Sequence, residues 1–111
     1  MLLDILAAFL GSAPTPSLDQ FRNPDSDFND PQVALRKRST AGDIVAEYSA
    51  TCAQTLELIA RIPAETLRQS GTLPWYGADY ALDDPIVYMY YGHKREHAAQ
   101  IAAVCDRLEH Q

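Results

Sequence analysis

Basic residues are scarce in this sequence. It holds 9 lysines and arginines against 15 aspartates and glutamates, so the formal charge is −6 and the pI is near 4.8. Proteins that bind nucleic acid or anionic membranes neutralise phosphate groups with clusters of basic side chains. We therefore expect no nucleic acid and no membrane as a partner. A small neutral or electrophilic molecule is the better candidate for a substrate.

Long apolar runs and paired cysteines are also lacking. No segment approaches the ~20 apolar residues of a membrane span. Residues 1–13 are apolar, but they lack the basic start of a secretory signal, and Asp4 interrupts them. Cys52 and Cys105 show no Cys-x-x-Cys spacing, which favours two reduced, partly buried thiols over a disulfide or a metal site. Together these features predict a cytoplasmic protein.

The remaining composition is that of an ordinary globular protein. Hydrophobic residues make up 47% and charged residues 22% of the 111 positions. A chain of this length has enough residues for one modest core and too few for two. We therefore predict a single domain over residues 1–111.

Apolar residues recur at helical spacing, and strand-like alternation is lacking, so the sequence predicts an all-α fold. Thr40 and Asp43 resemble a capping box, and both Asp30-Pro31 and Asp84-Pro85 resemble an N-cap followed by proline at the first helical position. The predicted helices are 1–10 (ending before Gly11), 31–36, 41–62 and 85–109, with connections over 12–30 and 63–84.

The first predicted helix is apolar on nearly every side. A helix of this kind needs apolar neighbours in several directions. We expect a second copy of the chain, or sequence preceding Met1, to cover the face that holds Leu2, Leu6 and Phe9.

Two histidines on the last predicted helix are the main candidates for a functional site. At about 100° per residue, His93 and His97 fall on the same stripe as Ile101, Val104 and Leu108, and this stripe is predicted to face the core. Side chains four residues apart on a helix are close enough to bind one ion. The alternative is that each ring hydrogen-bonds a neighbouring helix, a tyrosine hydroxyl or water.

A third ligand cannot be identified from the sequence. His110 lies about 25 Å along the helix axis from His93 and is too far away to join the pair. Asp4 and Glu47 have suitable chemistry, but nothing distinguishes them from other carboxylates.

Aromatic residues are concentrated just before and within the start of the last helix. They include Trp75, Tyr76 and Tyr90. Such a cluster is typical either of one wall of a substrate pocket or of ordinary core packing. We take these three residues as candidate pocket residues.

The run from Tyr90 to Ile101, YYGHKREHAAQI, resembles the final-helix motif of the DinB-like (YfiT-like) superfamily, particularly its ClbS/DfsB branch of four-helix bundles. The similarity extends over nearly the whole chain. It also includes, in the same order, Phe28-Asn29, residues 36–45, Ile62-Pro63 and residues 73–77.

This resemblance implies an antiparallel bundle with a divalent metal held by three histidines. The family pair corresponds to His93 and His97, and zinc or nickel is the expected metal. Residues 1–10 resemble the end of the family's second helix, so the bundle is expected to be incomplete at its N-terminus. The first ligand would then precede Met1, and the metal could be absent for that reason.

The resemblance further implies a metal-dependent hydrolase or thiol S-transferase that acts on a small electrophilic molecule. The alternative hypothesis is a non-catalytic helical-bundle protein that self-associates without a functional metal site. Under either hypothesis a homodimer is expected.

Overall fold

The protein is described by a computed structural model covering residues 1–11 and 13–110. These residues form helices and connecting segments and contain no strand, which confirms the all-α prediction. None of their helices has the length and apolarity required to cross a membrane. The chain divides into two compact units, residues 1–63 and 64–111, which we describe separately.

The first unit contains four helices. They are α1 (Leu2–Leu10), α2 (Pro16–Arg22), α3 (Asn29–Leu35) and α4 (Ala41–Arg61). The capping box that starts α4 is present, because Thr40 Oγ1 accepts from the amide of Asp43 at 3.0 Å and Asp43 Oδ2 accepts from the amide of Thr40 at 2.9 Å. The positions of α1 and α4 therefore agree with the prediction.

The apolar helix α1 lies at the centre of this unit, where it packs against α2 and α4. Leu2, Ile5 and Leu6 recur at helical spacing and are buried. Leu2 and Leu6 were expected to be covered by a second copy or by sequence preceding Met1, but they are buried within this chain, whereas Phe9 is half-buried. The packing partners are α2 and α4 of the same chain, and α2 was not predicted.

Helix α2 lies inside the predicted connection 12–30, whose first residue, Ser12, is outside the described residues. Its start is marked by Thr15-Pro16, an N-cap position followed by proline, and Leu18 is buried. Asp4, on α1, accepts hydrogen bonds from the amides of Ser17 at 2.7 Å and Leu18 at 3.4 Å. A charged residue within an apolar helix thus satisfies amide groups at the first turn of the next helix.

The start of α3 differs from the prediction. Asp27, rather than Asp30, accepts from the first amides of α3, at 3.2 Å from Asn29 N and 3.3 Å from Asp30 N. On α4, the buried or half-buried side lies in the C-terminal half and includes Thr55 and Ile59, whereas Leu56 is 67% exposed. The apolar spacing therefore located this helix, but not every apolar residue on it is buried.

The second unit begins with α5 (Ala64–Arg68) and a loop that packs Leu73, Ala81 and Leu82 inside. A continuous helical segment follows, made of α6 (Asp83–Val87), a π-helical turn (Tyr88–Gly92) and α7 (His93–Glu109). Val87 and Gly92 keep helical φ and ψ angles, so the segment has no break. The long last helix is thereby confirmed. Asp84 was predicted to be the N-cap residue before Pro85. It lies inside α6 instead, where its Oδ2 accepts a hydrogen bond from the amide of Ala81 at 2.7 Å.

Replacing Asp4 with alanine should destabilise the chain, because two amides of α2 lose their acceptor. We expect the free energy of unfolding to fall by about 1–2 kcal/mol, measured by urea denaturation with far-UV circular dichroism. The control is Asp79→Ala, a loss of the same charge in an exposed loop, with a change within about 0.5 kcal/mol. Equal effects of the two substitutions would contradict the capping role.

Gly77 should not tolerate a side chain. Its φ is +146°, and an added Cβ would lie 2.6 Å from a ring carbon of Tyr80. Gly77→Ala should therefore lower the free energy of unfolding by about 1–3 kcal/mol. Gly42→Ala is the matched control, since a Cβ there meets only Thr40 Oγ1 at 3.7 Å. This control should be neutral or stabilising by about 0.5 kcal/mol. A thermal melt in which both variants behave alike would contradict this account.

Candidate metal centre

The two histidines of the predicted pair lie in the first two turns of α7, and their rings converge. His93 Nε2 and His97 Nε2 are 2.8 Å apart, and the ring centroids are separated by 4.6 Å. Two nitrogens each about 2.0–2.1 Å from one tetrahedral ion are about 3.3 Å apart. The pair is therefore close to the spacing required for binding one ion.

The hydrogen bonds around the pair indicate which nitrogen carries each proton. His97 Nδ1 lies 3.0 Å from Gln100 Oε1, an atom that can only accept, so His97 Nδ1 donates. His97 Nε2 then has a lone pair, to which His93 Nε2–H donates. Gln100 thus holds His97 in the tautomer whose Nε2 can bind a metal. His93 would have to move its proton to Nδ1 to act as a second ligand.

The prediction that these histidines face the core was wrong. Both rings are exposed, and no residue of α7 is buried. The apolar side chains of the same stripe are exposed as well: Ile101 by 64%, Val104 by 46% and Leu108 by 64%. Helical periodicity shows that a helix has an apolar side, but it does not supply a partner to cover that side.

The π-helical turn determines the surroundings of His93. In a regular α-helix, residues five apart point about 140° away from each other. Here the wider turn brings Tyr88 over His93, with ring centroids 5.5 Å apart and planes within 5° of parallel. Gly92 leaves room for this ring, because a Cβ at Gly92 would lie 3.1 Å from Tyr88 Cδ2. π-Helical turns are often found at functional sites.

Tyr88 also links the stacked ring to a carboxylate. Its hydroxyl donates to Glu96 Oε2 at 3.1 Å. That hydrogen bond, with a smaller contribution from burial and from the Glu96 charge, raises the pKa of Tyr88 above its ordinary value. The tyrosine therefore stays protonated, and its ring stays held beside His93, over a wider pH range than usual.

The described residues supply only two candidate metal ligands at this position. No group of three histidine, cysteine, aspartate or glutamate side chains converges among them. His110 lies 3.3 Å from Asp106, Asp4 bonds to α2, and Glu47 forms an ion pair with Arg36. Both cysteines are free thiols, and Cys105 is exposed rather than partly buried. The third ligand predicted from the family resemblance has no counterpart in this part of the chain.

The candidate pocket residues make well-defined contacts. Trp75 and Tyr76 meet edge to face with centroids 5.8 Å apart, and Tyr76 meets Tyr80 in the same way at 5.2 Å. The ammonium of Lys94 lies 4.3 Å from the centre of the Tyr90 ring. The role of Trp75, Tyr76 and Tyr90 in a substrate pocket remains a prediction.

Three residues of the site were not predicted from the sequence: Gln100, Tyr88 and Glu96. Gln100 could have been found, because a side chain three residues after His97 is its neighbour on a helix. Tyr88 could not, since its position over His93 requires the π-helical turn.

Replacing Glu96 with glutamine should lower the pKa of Tyr88, because the phenol loses a charged acceptor. Since the folded-state pKa is raised, the stabilisation from this bond is present below the ordinary phenol pKa of about 10 and is lost as pH rises through the raised value. Phenolate absorbance near 295 nm should show one tyrosine that titrates at lower pH in Glu96→Gln. In a Tyr88→Phe background the same substitution should change nothing; a shift there would contradict the assignment.

Comparison of the chain with models of protein families, with curated proteins and with solved structures yields no match in any of the three.

Proposed function

We propose that this chain is a divalent-metal-binding helical protein of the DinB-like type, with His93 and His97 as two ligands of the ion. The observation that supports the proposal is the 2.8 Å approach of the two Nε2 atoms. Gln100 supports it further, because it orients His97 with a lone pair toward His93.

The donor set fits borderline metals. Neutral imidazole nitrogens suit zinc, nickel, copper and iron, whereas calcium and magnesium prefer oxygen ligands. We propose zinc or nickel. Because both rings are exposed, water, a thiol or a group from another molecule can reach the remaining coordination positions.

The reaction proposed for such a site is hydrolysis or thiol transfer on a small electrophilic molecule. When bound, the ion would act as a Lewis acid and lower the pKa of water or a thiol. The side chains of this protein have supporting roles: Tyr88 holds the His93 ring by stacking, Gln100 fixes the proton of His97, and Trp75 and Tyr76 offer aromatic surface to a substrate. We place this activity in the cytoplasm, since two free thiols suit a reducing compartment.

Metal binding should depend on the pair and on no other histidine. Calorimetric titration with ZnCl2 and with NiCl2 should show one site per chain, lost in His93→Ala and in His97→Ala because one ligand cannot chelate. The control, His110→Ala, should bind like the wild type. Gln100→Ala should weaken binding about 10–100-fold, because His97 loses the group that orients it.

Two results of these titrations would contradict the proposal. One is the absence of zinc and nickel binding by the wild-type chain. The other is binding of equal strength in the His93→Ala/His97→Ala double variant, which would place the ion elsewhere.

A second candidate function is that of a non-catalytic, self-associating helical protein without a metal site. The observation that favours it is the exposed apolar stripe of α7, formed by Ile101, Val104 and Leu108. This candidate differs from the first in one respect: the oligomeric state and stability should be unchanged in the His93→Ala/His97→Ala variant and in the presence of a chelator.

A further inference from the structure

Glu96 stands directly before His97, so that residues 93–97 read His-x-x-Glu-His. Helical zinc-protease motifs use two histidines four residues apart as ligands. A glutamate next to one of these histidines serves as the general base, in the order His-Glu-x-x-His or His-x-x-Glu-His. Residues three and four apart are neighbours on a helix, so Glu96 and His97 both lie close to His93. The pattern makes Glu96 a candidate for a part in the chemistry, and its contacts indicate which part.

Tyr88 holds the carboxylate of Glu96 beside the histidine pair. The Tyr88 ring lies parallel to the His93 ring with centroids 5.5 Å apart, and its hydroxyl donates to Glu96 Oε2 at 3.1 Å. A carboxylate has two oxygens, so Glu96 Oε1 can accept from a further donor such as water. The π-helical turn that places Tyr88 over His93 therefore also places a proton acceptor next to the pair.

Glu96 lies next to the pair without joining it as a ligand. The Nε2 atoms of His93 and His97 approach to 2.8 Å, whereas Glu96 contacts Tyr88. Within residues 1–11 and 13–110, no three side chains of histidine, cysteine, aspartate or glutamate converge. A general base has to reach the attacking water directly or through one further water, and it does not have to reach an ion. The position of Glu96 suits a base better than a ligand.

The two cations that precede Glu96 contact other tyrosines. Arg95 donates to the hydroxyl of Tyr91 at 3.2 Å, and its guanidinium lies 5.3 Å from the centre of that ring. The ammonium of Lys94 lies 4.3 Å from the centre of the Tyr90 ring. In the part of the chain that the structure describes, Glu96 forms no ion pair. Its carboxylate is therefore not neutralised by a neighbouring cation and can take up a proton.

We propose that Glu96 is the general base of the hydrolytic reaction and that Tyr88 is the residue that positions it. This inference rests on the proposed metal-binding function. In the proposed step, water loses a proton to Glu96 while its oxygen forms a bond to the electrophilic carbon of the substrate. The bond to the leaving group then breaks, and Glu96 returns the proton to that group. The carboxylate is regenerated, and nothing is oxidised or reduced.

Acetohydroxamic acid tests proton uptake without turnover, because its N–OH group loses a proton when the oxygen binds a metal. In calorimetry, the zinc-loaded wild type should bind it. Glu96→Gln should bind it about tenfold or more weakly, since an amide cannot take the proton. Azide is an anion with no proton to lose, so it should bind Glu96→Gln at least as tightly as the wild type. Glu109→Gln is the matched control, because it removes the same charge at the far end of α7 and should change neither affinity.

Two further variants separate the base from the residue that positions it. Glu96→Asp keeps a carboxylate and should recover part of the hydroxamate affinity that Glu96→Gln loses. Tyr88→Phe keeps the stacked ring and removes the hydroxyl that holds Glu96. It should weaken hydroxamate binding several-fold, but less than Glu96→Gln does. Hydroxamate affinity unchanged in Tyr88→Phe would overturn the positioning role.

Titration of each variant with ZnCl2 distinguishes failure of this inference from failure of the proposed function. A wild type that binds no zinc would overturn both. If the wild type and Glu96→Gln bind zinc equally, equal hydroxamate affinities would overturn the role of Glu96 alone. The same conclusion follows if the zinc-loaded wild type binds no hydroxamate. It also follows if Glu96→Gln loses zinc or binds azide more weakly, because Glu96 would then act on the ion or the fold and not on a proton.

Discussion

The π-helical turn at Tyr88–Gly92 is the constraint on which the candidate site depends. One additional residue in the turn changes which side chains share a side of the helix, so that Tyr88 stacks on His93 and then bonds to Glu96 in the next turn. A regular helix would point these groups in different directions. The glycine at position 92 makes the arrangement sterically possible, because a larger residue would press against the Tyr88 ring. The contacts around the histidine pair therefore depend on the backbone conformation as well as on the side chains.

The first unit depends in a similar way on helix α1 and its Asp4. Helix α1 is apolar enough to require cover on several sides, and α2 and α4 supply it. Asp4 is the exception in this helix, and its carboxylate accepts hydrogen bonds from amide groups in the first turn of α2. The short helix α2 would have little stability alone. Its contacts with α1 are therefore what define it.

The site and the apolar stripe share one helix, which connects the two proposed functions. The histidines and Gln100 lie near the start of α7, after the π-helical turn that holds Tyr88, and Ile101, Val104 and Leu108 follow on the same side. Exposure of the rings opens the site to water and small molecules. It also leaves the next two turns available to a second copy. Metal binding and self-association can therefore be separated experimentally only with substitutions that change one group of residues at a time.

The sequence by itself determined the helical class, the extents of α1, α4 and the last helix, and the proximity of His93 to His97, because periodicity, capping residues and the i to i+4 spacing are local properties. Tertiary structure decided the rest. Helix α2 was missed because a short proline-containing segment becomes a helix only when α1 provides its cap and its apolar contact. The histidines were expected in the core, yet they are exposed, because an amphipathic pattern specifies which side of a helix is apolar and not what covers it. The position of Tyr88 over His93 required a change of helical pitch that residue spacing does not encode.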